Sequence, residues 1–549
     1  MRADIIRTYK SVHTWTGVIS ALALFVCFYA GALTMFLGPL TRWASPPATQ
    51  AERTSLHAMP RLIDLVLQAR PEAARNFWLE FQSGDTANAR LVWDTHDPAG
   101  TSVPWHAWLA PDGGLRVRQD SPTGDLAGFI NHLHQTAGLP LPGEAGVTAM
   151  AAVAVLYAMA LVSGIIILLP SLVKDLFMLR VGRNLKRMWL DMHNVVGLFS
   201  LPFHLIMALT VVMLGLITVP AFDSLFGTAV YDVDQRAAFK QANRRFAPSP
   251  AAPDGHGPAP MLSPGRLLEA VERHAPTFQV DRMTYVDAGS RNARVRVTGL
   301  VRETLSWGAA ATVDATTGEI VVGNMLPGAQ DTWWAVLGSF VGLHFGYYGG
   351  EAVRWGYFFL GLAGAWLFYS GNLLWIETRR RARREGAGVP EQRKDTRWLA
   401  AGTVGVCLGC VAGISLAIVA TKWLHGHVAD PNAWNRYVYY AVFLGAVAWA
   451  FARGAARASV ELLWLSAAST LAIALTTLAA WLFPSLGVWA HTSAAALGVD
   501  ITALAGALCF AWMALATARR VKHGPDDSVW SARQPEDEES PVSAATRGA

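Results

Sequence analysis

The chain has 549 residues, of which 52% are hydrophobic and only 15% charged, and this balance is more apolar than that of ordinary soluble domains. Its mean hydropathy is +0.29, and its 22 tryptophans suit a membrane protein, in which tryptophans gather at the bilayer interfaces. The formal net charge of +5 comes from short basic clusters beside apolar runs, a pattern that orients membrane helices and does not indicate nucleic-acid binding. The composition therefore disfavours a soluble enzyme and excludes collagen-like, disordered and disulfide-rich classes.

The four cysteines, Cys27, Cys407, Cys410 and Cys509, all fall within apolar runs, so no disulfide is expected outside the membrane. Cys407 and Cys410 form a C-x-x-C pair without nearby metal-binding partners, and we interpret them as small buried residues of a transmembrane helix. The chain contains no C-x-x-C-H motif, which excludes a covalently attached c-type haem.

Eight apolar runs are long enough for the about 20 residues that a helix needs to cross a bilayer. These runs span roughly 13–38, 147–169, 193–219, 355–376, 398–423, 435–452, 460–483 and 495–517. The first run is too long for the apolar part of a cleavable signal peptide, about 7–15 residues, so we expect it to remain as a helix. We predict an all-α membrane bundle of about eight transmembrane helices, with both termini on the same side.

Basic residues cluster in the connections on one side of this predicted bundle. The segments 171–190 and 377–397 are rich in lysine and arginine, whereas the short loops 424–434 and 484–494 carry neither. By the positive-inside rule, both termini are expected to be cytoplasmic in a bacterial inner membrane.

The predicted organisation is helix 1 at 1–40, a first outer module at 41–143, helices 2 and 3 at 144–219, a second outer module at 220–331, an outer amphipathic segment with helix 4 at 332–376, a basic cytoplasmic loop at 377–397, helices 5 to 8 at 398–518 and a cytoplasmic tail at 519–549. The polar tail from Gly524 is expected to be disordered.

The two long polar segments are predicted to be small α+β modules outside the membrane, and they repeat the same order of elements. The first is predicted to contain a helix and four strands, at Arg61–Arg70, Phe77–Gln82, Ala89–Trp93, Trp105–Leu109 and Leu115–Val117. The second is predicted to contain a helix that begins at Ser263-Pro264-Gly265 and ends near His274, followed by Val280–Val286, Ala293–Val297, Ala310–Val313 and Glu319–Val322. The repetition indicates an internal duplication.

Histidines stand at matching places in the two halves. His13 and His193 each begin an H-x-x-x-G-[VL] motif after a basic stretch, and His134 and His344 each follow a leucine just before the next apolar run. If the halves are related by a two-fold axis along the membrane normal, His13 faces His193 at the inner edge and His134 faces His344 at the outer edge. Titratable groups inside a membrane are candidates for function, and two neutral imidazoles can supply both axial ligands of a b-type haem.

His204 is a third candidate for the outer haem. It follows His193 by eleven residues, and in a straight helix this spacing places both histidines on one face, about 16 Å apart along the axis. The outer haem then has three candidates for two axial positions, His134, His204 and His344. Pro202, just before His204, allows a kink.

Small residues in the apolar runs are expected to let a flat macrocycle or a neighbouring helix approach the backbone. The glycines concerned are Gly17, Gly31, Gly164, Gly197, Gly361 and Gly364.

The last four helices offer few candidates for function. Their outer ends carry His425, His427 and His491, which we interpret as exposed loop residues, and Asp500 lies inside helix 8, where it either serves a quinone or proton path or pairs with a neighbour.

Taken together, these motifs resemble a known family, the PepSY-associated transmembrane-helix proteins, which are iron-regulated bacterial inner-membrane proteins that include siderophore reductases. The resemblance covers the first 376 residues and rests on His13-x3-Gly17, Leu133-His134, His193-x3-Gly197 with Leu201-Pro202-Phe203-His204, Leu343-His344-x4-Gly349-Gly350 and two PepSY-like modules between them. It implies a di-haem reductase that moves electrons outward to release iron from a ferric siderophore in the periplasm. It also implies that the haem ligands are His13, His193, His204 and one or both of His134 and His344.

The chain has no G-x-G-x-x-G motif for a nicotinamide or flavin cofactor, so the electrons are expected from a membrane quinol or from a cytoplasmic reductase, with a preference for the quinol. Two other functions remain open. A transporter of iron or siderophore would also have duplicated halves, but it predicts broken helices with polar residues near the midplane. A non-enzymatic scaffold would use its PepSY-like modules to bind a periplasmic partner, and it predicts that the purified protein lacks haem.

Overall fold

The structure is a computed structural model of the chain. It describes residues 3–47, 52–82, 85–96, 102–119, 124–141, 145–171, 185–218, 257–301, 305, 309–323, 325–330, 332–346, 348–385 and 388–532. The helices of these residues are α1 (Ala3–Thr34), α2 (Leu37–Ala44), α3 (Met59–Ala69), α4 (Leu126–Thr136), α5 (Ala145–Leu168), α6 (Leu185–Phe199), α7 (Leu201–Thr218), α8 (Pro264–His274), α9 (Thr332–Phe345), α10 (Gly350–Thr378), α11 (Lys394–Trp423), α12 (Pro431–Arg453), α13 (Ala455–Leu482) and α14 (Ala494–His523).

Six helices are long and apolar enough to cross a membrane, namely α1, α5, α10, α11, α13 and α14. Helices α6 and α7 meet this condition only together, as one bent span. The described part of the chain therefore has six or seven spans of this kind, against the eight that the apolar runs predicted. The run at 435–452 does form a helix, α12, of 23 residues, but its first half carries Asn432, Asn435 and Arg436, which lower its hydropathy.

The predicted third helix is broken at Ser200, where α6 and α7 meet at an angle of 68°. Pro202 lies in the first turn of α7, where its missing N–H removes no helical hydrogen bond. The Ser200 hydroxyl donates to the Val196 carbonyl oxygen at 2.6 Å. The expected kink is thus confirmed, but the expectation that His193 and His204 share one face of a straight helix is wrong, because they lie on differently directed helices.

Helices α11 and α12 pack with their backbones close together along a row of glycines. A Cβ atom at Gly405 would lie 2.7 Å from the Cα atom of Val447, and one at Gly409 would lie 3.1 Å from the carbonyl oxygen of Phe443. Such close approach is typical of small-residue packing between membrane helices. Cys407 and Cys410 on α11 are buried and form no disulfide, in agreement with their interpretation as small packing residues.

The strands lie in a single antiparallel sheet in the order β5-β4-β3-β2-β6-β7-β8-β9, with β1 added beside β3. They are β1 (Thr54–Ser55), β2 (Asn76–Gln82), β3 (Asp85–His96), β4 (Ser102–Leu109), β5 (Leu115–Gln119), β6 (Gln279–Val286), β7 (Arg294–Leu300), β8 (Ala309–Asp314) and β9 (Ile320–Val322). Each polar segment therefore supplies one helix and four main strands in the predicted order. The Ser263 hydroxyl caps α8 by accepting from the backbone N–H of Arg266.

The two halves of this sheet join through β2 and β6, which pair antiparallel with Leu79 opposite Met283. At the joint, Arg282 forms an ion pair with Glu80 at 3.1 Å. Side chains from both polar segments, including α3 and α8, share one hydrophobic core. The two polar segments, each predicted to be a small α+β module, thus have the expected elements but share one sheet, in which two edges that would otherwise be exposed are paired with each other.

The beginning of the C-terminal tail is ordered against the basic loop that follows α10, which corrects the expectation of disorder from Gly524. Asp527 is bonded to the guanidinium of Arg380 and accepts from the backbone N–H of Arg383 at 2.8 Å. Trp530 is buried in a hydrophobic cluster with Leu373 and Ile376 of α10. Burial opposes ionisation of Asp527, but the bonds from Arg383 and Arg380 outweigh it and lower the pKa of this carboxyl. Residues 533–549 lie outside the described residues.

We expect Gly409→Leu to destabilise the protein by about 1–3 kcal/mol, as overpacking of a filled interface does. Gly445→Leu on α12 is the matched control, because a Cβ atom at Gly445 meets nothing within 4 Å, and both substitutions gain the same helix propensity. Thermal unfolding in detergent measures the difference. Equal unfolding midpoints for the two variants would contradict the close packing of α11 and α12.

We expect Asp527→Asn to release residues 524–532 from the basic loop. Because the folded-state pKa of Asp527 is lowered, its contribution is present above the ordinary aspartate pKa and is lost as the pH falls through the lowered value. Limited proteolysis of the tail at several pH values measures this. The wild type should be cleaved faster only under acidic conditions and the variant at every pH; a variant with wild-type protection near pH 7 would disprove the role of Asp527.

Candidate histidine pairs in the membrane

His13 on α1 and His193 on α6 form the inner pair, named for the side on which the sequence predicts it. Their ring centroids are 6.3 Å apart. The Nδ1 atom of His13 lies 2.8 Å from the carbonyl oxygen of Ala160 on α5, and Nδ1 of His193 lies 3.0 Å from the hydroxyl oxygen of Ser370 on α10. Four helices thus fix the two rings.

His134 and His344 form the outer pair, with ring centroids 6.1 Å apart. Each lies in the last turn of a short helix, α4 or α9, shortly before a long membrane helix. Nδ1 of His134 lies 2.9 Å from the carbonyl oxygen of Cys27 on α1, and Nδ1 of His344 lies 2.9 Å from the hydroxyl oxygen of Thr210 on α7. Both rings are therefore held from a neighbouring helix, as in the inner pair.

The hydrogen bonds require one tautomer in His13 and His134 and are compatible with the same tautomer in His193 and His344. The carbonyl oxygens of Ala160 and Cys27 can only accept, so Nδ1 of His13 and of His134 must carry the proton. The hydroxyls of Ser370 and Thr210 lie 2.9 and 2.7 Å from backbone carbonyl oxygens of their own helices; when they donate to these oxygens, they accept from Nδ1 of their histidines. In this tautomer the Nε2 lone pair of each ring is left for a ligand.

This arrangement suits an ion that takes two ligands from the protein. A metal held between two imidazole nitrogens by bonds of about 2 Å each places the ring centroids about 6 Å apart, which matches both pairs. Histidine ligands of metals usually donate their other N–H to a carbonyl or a similar acceptor, which fixes the ring. Within the described ranges, no three His, Cys, Asp or Glu side chains form a metal-binding group.

His204 lies outside both pairs. It is buried, with 1% of its surface exposed, and its Nδ1 atom lies 2.7 Å from the hydroxyl oxygen of Tyr157. Its ring packs against Phe28, 5.5 Å away between centroids, and against Phe203 and Phe368. Its Nε2 atom is buried and has no hydrogen-bond partner. Of the three candidates for the outer site, the structure thus brings His134 and His344 together and leaves His204 apart.

Three of the six glycines singled out in the sequence lie directly against histidine rings. A Cβ atom would lie 2.7 Å from Nδ1 of His134 at Gly31, 3.0 Å from His13 at Gly164 and 3.1 Å from His204 at Gly364. The other three play different parts, since Gly361 packs on Ala32, Gly197 faces Leu367 and Gly17 has open space beside it. Gly31 and Gly164 therefore make room for the imidazoles themselves, whereas Gly364 makes room first for Phe28, whose ring would lie 2.5 Å from the added Cβ atom.

Sequence reasoning missed the hydroxyl partners of the histidines. Ser370, Thr210 and Tyr157 each bind an Nδ1 atom from a different helix. A signal was present, because a hydroxyl inside an apolar span needs an interhelical or backbone partner. Which histidine each hydroxyl serves depends on helix packing, which the sequence does not reveal.

Several polar residues of the last four helices form a separate cluster near α2. The Asp500 carboxylate accepts from the indole N–H of Trp43 at 2.9 Å and from the Thr477 hydroxyl at 2.9 Å. The buried ammonium of Lys422 lies 3.6 Å from the centroid of the Trp43 ring. Nε2 of His491 lies 2.8 Å from the carbonyl oxygen of Ser45. Asp500 is therefore paired with its neighbours, and the cluster fastens the added helices to the first part of the chain.

We expect Gly31→Ala to displace the ring of His134, because the added methyl group would lie closer to Nδ1 than a contact permits, and so to break the bond to the Cys27 carbonyl oxygen. Loss of such a supporting bond typically weakens metal binding by about 10–100-fold. The affinity of each purified variant for added haemin measures the effect, with Gly17→Ala as the control because that glycine has open space beside it. Equal affinities in the two variants would contradict the displacement of the His134 ring.

Comparison with known proteins places this geometry in a family. The family model described as PepSY-associated TM region matches residues 10–378, and this range contains all five histidines discussed above. A relative, the uncharacterized protein PA4219 of Pseudomonas aeruginosa, is 27% identical over 372 residues, which cover 64% of this chain and 86% of that protein. The matched range ends with α10, so α11 to α14 lie beyond it. The chain belongs to the PepSY-associated TM family.

Proposed function

We propose that this protein is a di-haem oxidoreductase of a bacterial inner membrane, which moves electrons outward to reduce a ferric siderophore in the periplasm and release its iron. The observation that carries the proposal is the presence of two histidine pairs with ring centroids 6.3 and 6.1 Å apart. Their Nδ1 atoms are all engaged, so each pair offers two Nε2 lone pairs. The absence of a C-x-x-C-H motif makes b-type haem the cofactor that fits.

The proposed assignment gives His13 and His193 to the inner haem and His134 and His344 to the outer haem. When bound, each haem supplies an iron centre that exchanges one electron reversibly. The residues of the chain hold the ring orientation, since each imidazole is bonded to a helix other than its own. Four histidines suffice for two haems, and His204 is then left to support the region between the sites.

The proposed direction of electron flow follows from the order of the elements along the chain. The helices α4 and α9, which carry the outer pair, each follow one half of the sheet, so the outer pair lies on the side of the sheet. The ends of the spans on the other side are connected through basic segments, which supports a cytoplasmic position for both termini. Reduction of Fe(III) to Fe(II) weakens binding by hard oxygen ligands and so releases the metal from a siderophore.

The electron donor in this proposal is a membrane quinol or a cytoplasmic reductase that docks on the basic loops, and we favour the quinol. The chain has no G-x-G-x-x-G motif with which it could bind a nicotinamide cofactor itself. A donor in the membrane or at the inner face would reach the inner pair first, because His13 and His193 follow the basic stretches of α1 and α6.

One observation favours a transporter as the second candidate function. The 68° break between α6 and α7 is the kind of discontinuity that membrane transporters have near their substrate sites. Buried polar residues, Ser200 and His204, stand at this break. Uptake of radiolabelled ferric siderophore into proteoliposomes without any reductant would support this alternative.

We expect purified protein to contain two low-spin b-type haems per chain. His193→Ala should remove the inner haem and His344→Ala the outer haem, each leaving about one, whereas His204→Ala should keep both, because its ring lies outside the pairs. Reduced-minus-oxidised spectra with haem quantitation measure this. A colourless wild-type protein made with sufficient haem would refute the reductase, and loss of a haem in His204→Ala would refute the assignment of ligands.

A further inference from the structure

Helix α4, which carries His134, is a short element outside the membrane spans. It has 11 residues, and its C-terminal end turns through two residues with left-handed backbone, Ala137 at φ 51° and Gly138 at φ 68°. Isolated helices of this length are marginal in water. The direction of the His134 ring therefore depends on what holds this helix in place.

Both ends of α4 are bonded to α12, one of the helices beyond the family match. The backbone N–H of Asp125, the residue that caps α4, donates to the side-chain oxygen of Asn432 at 2.7 Å. The hydroxyl of Tyr440 donates to the carbonyl oxygen of Gly138 at 3.1 Å. Asn432 and Tyr440 are eight residues apart on α12, about 12 Å along its axis. Helix α12 thus holds both the start and the end of α4 by hydrogen bonds.

Apolar contacts fill the space between these two bonds. The rings of Phe129 on α4 and Tyr439 on α12 meet edge to face with centroids 5.6 Å apart. Tyr439 is fully buried, and its hydroxyl oxygen lies 3.3 Å from where a Cβ atom of Gly138 would stand. The contact leaves α4 little freedom to roll against α12.

Helix α12 is itself held firmly, so it can serve as a fixed support. The glycine row of α11 packs against its backbone at Gly405, Gly409 and Gly413. The buried side chain of Asn435 accepts from the Thr421 hydroxyl of α11 at 3.1 Å. A contiguous set of contacts therefore runs from α11 through α12 and α4 to the His134 ring.

The His134 ring cannot keep its contacts if α4 moves, because α1 holds the ring in place. Its Nδ1 atom is bonded to the Cys27 carbonyl oxygen at 2.9 Å, and Gly31 of the same helix, α1, lies so close to the ring that a methyl group would not fit. A small rotation of α4 would therefore lengthen the Cys27 bond or push the ring against α1.

We propose that α12 is a positioning element for the outer histidine pair, with Tyr440 as the main positioning residue and Asn432 as the second. They act through the backbone ends of α4 and fix the angle at which His134 faces His344. This inference rests on the proposed function, because it assigns a role in holding the outer haem. It gives the helices beyond the family match a part in the haem site.

The test compares Tyr440→Phe and Asn432→Ala with Tyr437→Phe in the full-length protein. Tyr437 lies on the same helix, but 62% of its surface is exposed, so Tyr437→Phe is the matched control. We measure haem content, the midpoint potentials of both haems by redox titration, and the low-spin signals by electron paramagnetic resonance. Hydrogen exchange of the amides in 126–138 reports on α4 without reference to any haem.

We expect Tyr440→Phe to weaken the binding of the outer haem about tenfold, which is the lower end of the effect of losing a supporting bond to a metal ligand. The midpoint potential and the paramagnetic resonance signal of the outer haem should shift, while those of the inner haem stay unchanged. Exchange in 126–138 should also become faster. Wild-type behaviour of the outer haem in Tyr440→Phe and Asn432→Ala, in a protein that holds two haems, would overturn the positioning role while the proposed function stands. A wild-type protein without haem would overturn both the positioning role and the proposed function. Faster exchange in 126–138 with an unchanged outer haem would show that α12 supports only the fold of α4, and so would also overturn the positioning role.

Discussion

The need to satisfy the Nδ1 atoms of histidines packed between helices governs the arrangement of this protein. A polar group that is shielded from water and unpaired is costly, and the Nδ1 atom of each of the five histidines has a partner on another helix. The same bonds that satisfy the rings also orient them. The packing of α1, α5, α6, α7 and α10 therefore also fixes the orientation of the rings, through carbonyl groups at His13 and His134 and through hydroxyls at the other three histidines.

Much of the fold follows from local patterns in the sequence. The apolar runs, the alternation of the strands and the caps of the helices depend on neighbouring residues, so most of these elements were predicted to within a few residues, although α1 begins already at Ala3. The duplicated motifs also indicated which histidines of the two halves lie close together. What depends on distant contacts was missed. The hydroxyl partner of each ring, the pairing of β2 with β6 and the contact of Tyr440 with Gly138 join residues far apart in sequence.

Two errors of the sequence analysis have a specific physical cause. The expected alignment of His193 with His204 assumed a straight helix, but the helix is bent by 68° near Ser200 and Pro202. The two rings therefore contact different residues, Ser370 in the case of His193 and Tyr157 in the case of His204. The expected disorder after Gly524 rested on polar composition, but the tail carries a buried tryptophan, Trp530, and a carboxylate, Asp527, which contact an apolar cluster and a basic loop elsewhere in the chain. Composition averages over such single residues and so cannot detect them.

The antiparallel joint between β2 and β6 has the form of an isologous dimer interface. The first of the four main strands of each half pairs with its counterpart, Leu79 opposite Met283 and Glu80 opposite Arg282, as identical strands do across a two-fold axis. Each histidine pair likewise takes one ring from either half. A single half would carry both kinds of histidine and yet complete neither pair, so the chain resembles a symmetric dimer whose subunits have been fused, and whose shared sheet keeps the two partners in register.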